Sequence, residues 1–295
     1  MLTLDWLTHL AEENRAALSA QVAEFSIRGH HFAFNTKPAL MGVINLSADS
    51  WYRESVVMTA EAAISKARVL QAQGAPIVDV GAESTLAHAM RVDDIEQNSK
   101  LLPVVRALSA NGPIVSVETY QPAVAKACLN AGAGILNLTG CGDAESIYPI
   151  VAEHEAAVII CYVQGKNARE VAEFDFGADP VALMHDYFSR EINRATKAGV
   201  SRIFIDPGMG FYYKNLQDSS VRVRHQMRTF LNTFRLRTLG FPICHALPHA
   251  FEFFGEEVRC AEPYFAVLAA LGKTDLFRTH EVARTKAVLD TLGAF

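Results

Sequence analysis

Cysteine is sparse and unpatterned in this sequence. Five are scattered at positions 128, 141, 161, 244 and 260 with no C-x-x-C pair, so neither a disulfide framework nor a cysteine-based zinc site is indicated and reduced thiols are expected. Cys161 and Cys244 lie in apolar runs and read as small buried hydrophobes. An excess of positive charge is also missing. Twenty-seven Lys and Arg face 32 Asp and Glu, a net −5, with the signs interspersed, which excludes the basic field that nucleic acid or an anionic membrane requires. No stretch reaches the ~20 apolar residues of a membrane span. The opening MLTLDWLTHLAEENRAAL is apolar only at helical spacing and carries acids, unlike a secretory signal. A cytoplasmic protein with no membrane and no nucleic-acid partner is therefore expected. P-loop, G-x-S-x-G elbow and Gly-rich dinucleotide fingerprint are all lacking, so no nucleotide cofactor is indicated.

Half of the 295 residues are hydrophobic, enough for one large core. Short β-branched runs recur at 40–45, 77–80, 114–117, 134–138, 157–161, 202–205, 241–245 and 275–278, each bounded by turn residues or a polar change. Amphipathic stretches such as 59–73, 121–130, 179–197 and 221–238 lie between them, with Gly74, Gly132, Gly199 and Gly240 just past helix ends. Eight strand–helix units in succession predict an α/β fold, a single (β/α)8 TIM barrel. The alternative, an open doubly wound sheet, usually carries the fingerprint that is missing. No linker or charge block divides the chain beyond an N-terminal extension at 1–37, read as a helix plus a lead-in strand, before a barrel at 38–295. The extension has apolar residues at 6, 7, 10, 17, 18, 22 and 25, a pattern suited to packing on the barrel or on a second subunit.

Active residues of such barrels sit where strands end. Those positions hold Asn45, Asp79 with Glu83, Glu118, Asn137, Tyr162 with Gln164, Asp206, His245 with His249, and Arg278 with His280. A carboxylate ending a buried strand must be met by donors. Asp206 in IFIDPGMGF either receives them from a heterocycle with adjacent N–H groups or caps the turn made by Pro207, Gly208 and Gly210. Asn137 in ILNLTG carries donor and acceptor, matching a lactam-like edge, or is structural. Arg278-Thr-His280 follows the last strand, a common phosphate position where Arg supplies bidentate donors; the competing reading is a solvated arginine. Asn45 is a companion for an anion or its metal. His30-His31 precede the barrel and read as surface. His245 and His249 have i, i+4 spacing, but Pro248 works against a continuous helix and hence against zinc ligation by this pair.

The same residues carry a resemblance. MGVINLSADSW and IVDVGAEST resemble the two signatures of dihydropteroate synthases, and IVSVETY, ILNLTG, RIFIDPGMGF and FRTHEV follow in the family's order and spacing. The resemblance implies a (β/α)8 barrel that takes a 2-amino-4-oxo pterin as substrate or ligand, acts in folate biosynthesis and forms a homodimer. By position it implies pterin contacts from Asp206, Asn137 and Glu118, the last standing where the family usually has aspartate. It implies a diphosphate grip from Asn45, Arg278 and His280, with Mg2+ at Asn45, and a co-substrate loop containing Thr85.

Departures from the family pattern cluster at the transfer site. The Ser-Arg-Lys run after the seventh strand is Leu247-Pro248-His249 here, and Arg-Pro-Gly after Glu83-Ser84-Thr85 is Leu86-Ala87-His88. The first loop reads SADSWYRES, without the family's proline and glycine, and Tyr162 stands for the family's His. His249 is then the candidate donor to the pterin in place of lysine, with Arg278 and His280 the other candidate catalytic groups; Arg53, Arg91 or Lys166 are candidates to replace the lost cations. Losing one preorganised donor to a developing charge costs roughly 10²- to 10³-fold, about 3–4 kcal/mol. The implied reaction is transfer of the dihydropterin methylene from its diphosphate to p-aminobenzoate. The alternatives are a pterin- or folate-dependent transferase with another co-substrate, such as a methyltransferase, and a non-catalytic pterin binder or regulatory paralogue.

Overall fold

A computed structural model describes residues 2–47, 55–84, 89–211 and 213–295. The chain opens with helices α1 (Leu4–Glu13) and α2 (Arg15–Leu18), followed by an antiparallel pair, β1 (Phe25–Ile27) and β2 (His30–Phe32). Strand β3 (Ala39–Asn45) then starts a regular alternation: α3 (Ala60–Ala72), β4 (Ile77–Gly81), α4 (Asp94–Asn111), β5 (Ile114–Glu118), α5 (Pro122–Asn130), β6 (Ile135–Leu138), α6 (Ala144–Glu153) and β7 (Ala157–Cys161). It continues with α7 (Pro180–Lys197), β8 (Arg202–Asp206), α8 (Ser219–Asn232), β9 (Cys244–Ala246), the short α9 (Phe251–Phe254), α10 (Ala261–Leu271), β10 (Leu276–Thr279) and α11 (Val282–Gly293). Strands β3 to β10 are parallel, in the order β8-β7-β6-β5-β4-β3-β10-β9, and the parallel bridge Ile205↔Ile243 brings the two ends together. This is the (β/α)8 barrel that the alternation predicts.

The local causes are legible. Thr59, Asp93, Asp179 and Asp218 each accept a backbone N–H of the first turn of α3, α4, α7 and α8, which satisfies donors a helix start otherwise leaves orphaned. Pro180 stands at the first position of α7, where its missing N–H costs nothing. Gly199 ends the same helix with φ +95°. The run at 241–245 forms a shorter strand than predicted because Pro242 has no N–H to give; it offers only its carbonyl, to Ile205 N at 3.1 Å. The helix predicted over 221–238 starts earlier, at the Asp218 cap, and ends in a 3₁₀ segment at Thr233–Leu239.

Two apolar layers form the core. One lies between the sheet and the ring of helices. The other fills the barrel and joins Met41, Ile77, Ile159 and Phe204 to Phe32 and Phe34 of the N-terminal extension. Phe25 and Phe34 meet Phe204 edge-on at 5.2 and 5.4 Å, so the β1–β2 hairpin plugs the end of the barrel where the strands begin. His30 and His31 are exposed on that hairpin. Polar residues that end the strands collect at the opposite mouth.

Candidate functional site

A cavity of about 220 Å³ opens at the C-terminal ends of the strands. Its lining includes Asn45, Glu118, Asn137, Asp206, His249, Arg278 and His280, so the structure brings together all the described residues singled out for pterin and diphosphate. Thr85, Leu86-Ala87-His88 and Arg53 lie outside the described residues.

The floor is a charged network built from β4, β5, β6 and β10. Asp79, wholly buried on β4, accepts from Ser116 Oγ at 2.6 Å, Asn137 Nδ2 at 2.9 Å and Arg278 Nε at 2.8 Å. The Arg278 guanidinium also donates through Nη2 to Glu118 Oε2 at 2.6 Å. Asp79 has no assigned role from sequence; here it orients two of the candidate residues. It also sets which edge Asn137 presents, because with Nδ2 given to Asp79 the carbonyl oxygen turns to the cavity side, where Cys161 Sγ reaches it at 3.4 Å. Arg278, expected at the diphosphate, spends Nε and Nη2 on carboxylates of the floor.

Asp206 ends β8, with Gly208 N donating to its Oδ1 at 2.8 Å. Gly208 has φ +75°, and a Cβ there would lie 2.3 Å from Tyr162 O, so this turn needs glycine. The capping reading and the ligand reading of Asp206 are therefore compatible: one oxygen caps the turn, and the residue still lines the cavity. Burial raises the Asp206 pKa to about 6, against the lowering by Gly208 N and Arg278. Burial likewise raises Glu118 to about 7; Arg278 opposes this, while Asp79, Asp206 and Glu83 add to it. For Arg278, burial works against the charge, and Glu118, Asp79 and Asp206 outweigh it and hold the guanidinium protonated.

The rim is different in kind. His249 and His280 converge on Glu262, a buried carboxylate in the first turn of α10. His280 Nδ1 lies 2.7 Å and His249 Nδ1 3.5 Å from Glu262 Oε1. Burial lowers the His249 pKa to about 4, against the raising by Glu262, so the ring is neutral at pH 7. Ala250 beside it takes φ +45°, a left-handed conformation costing roughly 1–2 kcal/mol for a non-glycine residue. His245 is remote from this group in kind: fully buried, its Nε2 meets Thr233 Oγ1 at 2.8 Å, and the i, i+4 pairing with His249 is not formed. Asn45 gives Nδ2 to Ser55 Oγ at 2.5 Å, which makes its amide oxygen the atom suited to a cation. One oxygen donor fits Mg2+, which keeps waters and takes further ligands from substrate phosphates.

Neither described candidate for replacing the lost cations lines this cavity. Arg91 pairs with Tyr120 OH at 3.1 Å and Glu170 at 3.9 Å, and Lys166 lines a separate depression beside Tyr120 and Asp143. Tyr162, in the place of a family histidine, packs edge-on against Tyr187 at 5.0 Å outside the barrel. Sequence reasoning missed Arg222 and Gln226, which reach the cavity from α8 without any strand-end signal. Arg222 is engaged by Glu252 at 2.6 Å. Gln226 donates to Met209 O at 3.0 Å, and its buried Oε1 has no partner among the described residues.

Residues 41–244 match the family described as pterin binding enzyme. Dihydropteroate synthase type-2 of Escherichia coli is 31% identical over 267 residues, 88% of this chain and 97% of that one. Among solved structures, Xanthomonas albilineans dihydropteroate synthase with 4-aminobenzoic acid superposes with a TM-score of 0.77 at 27% identity, covering 93% of this chain and 98% of that one. Thermus thermophilus dihydropteroate synthase in complex with 6HMPPP gives 0.73 at 27% identity, over 92% and 100%.

Proposed function

The chain belongs to the dihydropteroate synthase family of pterin-binding enzymes, and on that premise we propose that it joins a dihydropterin methylene to p-aminobenzoate with loss of diphosphate, in the folate pathway of the cytoplasm. The observation that carries this reading is the convergence of Asp206, Asn137 and Glu118 on one cavity floor. A 2-amino-4-oxo pterin presents adjacent N–H donors to one carboxylate, the task of ionised Asp206, and a lactam edge that an amide matches. Glu118, held by Arg278, completes the floor on which the ring lies. No described helix is long and apolar enough to cross a membrane, which suits a pathway of small dissolved substrates. A homodimer is part of the same proposal, by likeness to the family.

In the reaction, the bond from the pterin methylene to diphosphate oxygen lengthens and the carbon becomes cation-like. The aniline nitrogen's lone pair then forms the new C–N bond, and its proton passes to the departing diphosphate or to water. The floor holds the ring so that the methylene projects toward the rim. There Nη1 of Arg278 and the His280 ring meet the leaving group, each such donor contributing about 3–4 kcal/mol to the transition state when preorganised. Asn45 would hold Mg2+, which when bound neutralises diphosphate charge.

The test is to incubate the protein with dihydropterin diphosphate, p-aminobenzoate and Mg2+ and measure dihydropteroate by mass spectrometry beside an Asp206→Ala control. Product that vanishes in the control is expected. No product from folded wild type, beside an active authentic synthase, would favour a different co-substrate or a binding role.

A further inference from the structure

We propose that His249, Glu262 and His280 form a site for a transition-metal dication of the Zn2+ class, placed to meet the diphosphate end of the substrate. The location of the ion rests on the three side chains alone; its service to diphosphate rests on the synthase reading above. The ligands come from three segments: the loop after β9, the first turn of α10 and the end of β10. One ligand atom of each lies within 4.8 Å of the others. Ligands around a tetrahedral Zn2+ at about 2.0–2.2 Å stand roughly 3.3 Å apart. The spacings of 2.7 and 3.5 Å from Glu262 Oε1 to the two Nδ1 atoms bracket that value, so small side-chain rotations seat an ion.

Glu262 is prepared for this use. Its Oε2 accepts from Thr279 Oγ1, from His280 N at 2.9 Å and from Glu281 N at 3.1 Å, an outer shell of the sort that fixes a metal-ligating carboxylate. Only Oε1 is directed between the imidazoles. Two imidazoles and one carboxylate suit Zn2+ or Fe2+ and are a poor set for Mg2+, which asks for oxygen. Both rings line the cavity while the carboxylate between their Nδ1 atoms is buried behind them, so the ion would sit in the cavity wall next to the substrate.

The charge balance of the mouth gives the ion a task. Carboxylates of Glu83, Glu118, Asp206 and Glu252 line the cavity, while Arg278 and Arg222 are already engaged by acids. At position 249 the family's lysine is replaced by an imidazole, and a dication held there restores positive charge where the leaving group departs.

Binding is measured without pterin or acceptor. Full-length protein is stripped with chelator, exposed separately to Zn2+, Mn2+ and Mg2+, passed through gel filtration and analysed by mass spectrometry for bound metal. One Zn2+ per chain is expected, with Mg2+ failing to compete at equal concentration. His249→Ala and His280→Ala, checked for folding by circular dichroism, are expected to weaken Zn2+ binding more than about 100-fold, beyond the loss usual for an outer-shell partner. Wild type that retains neither Zn2+ nor Mn2+, or variants that retain as much as wild type, would overturn the site. That result would leave a metal-free hydrogen-bonded His–Glu–His group. Bound Zn2+ with no transfer activity would remove the synthase reading and keep the site; full activity of the stripped protein with Mg2+ alone would remove the ion's proposed service to diphosphate.

Discussion

Asp206 couples ligand recognition to pH. Its pKa stands at about 6, above the ordinary 3.8, and the form that accepts the pterin's N–H pair is the carboxylate. Pterin affinity is therefore expected to fall by up to tenfold per pH unit below about 6 and to level off above it. Calorimetric titration between pH 5 and 8 measures this, and Asp206→Asn should flatten the profile while weakening binding. Stability runs the other way. Between the unfolded and folded pKa values of Asp206 and Glu118, the native chain binds more protons than the unfolded one, so these groups lower stability as pH rises from about 4 to about 7. Asp79 makes a sharper case: removing its carboxylate leaves Asn137 Nδ2, Ser116 Oγ and Arg278 Nε without their shared acceptor. Asp79→Ala is expected to cost about 3–5 kcal/mol in chemical denaturation, as for a broken buried pair, and pterin binding should fail in whatever folds.

The β1–β2 hairpin shows how an element escapes sequence reading. A helix and one lead-in strand are predicted for residues 1–37, and the structure has two short helices and a two-stranded hairpin. Its turn puts Arg28 at φ +50° and Gly29 at φ +78°. Two-residue turns of this hand usually announce themselves as Asn-Gly or Asp-Gly, and Arg-Gly carries no such signal. The hairpin is compelled from outside, by Phe32 and Phe34 filling the barrel end. Phe34→Ala should therefore destabilise by about 3–5 kcal/mol, read as a lower thermal midpoint, with the pterin dissociation constant unchanged because the site is at the other mouth. A matching change in affinity would show that plug and site are coupled.

The molecule as a whole divides its two ends between stability and chemistry. The strand-start end is closed by the plug and by Arg237, a buried side chain that holds Asp275 and also reaches Asn35 Oδ1 at 2.9 Å and Ala20 O at 3.3 Å. Arg237→Ala is expected to cost about 3–5 kcal/mol, because it strands the buried Asp275 carboxylate; urea denaturation measures the loss. At the opposite mouth, charge is concentrated and some of the cohesion is spent on holding it. The repeat of strand and helix, the positions where strands end and the residue types there follow from the sequence by itself, because periodicity, caps and turn residues act over a few neighbours. Which of those residues meet was decided only by closure of the barrel. Asp79 and Arg278 stand 199 residues apart in sequence and 2.8 Å apart in space. Glu262, in a helix with no strand-end signal, becomes the centre of a histidine pair for the same reason: a hydrogen bond depends on where distant backbones come to rest, and local pattern carries no record of that.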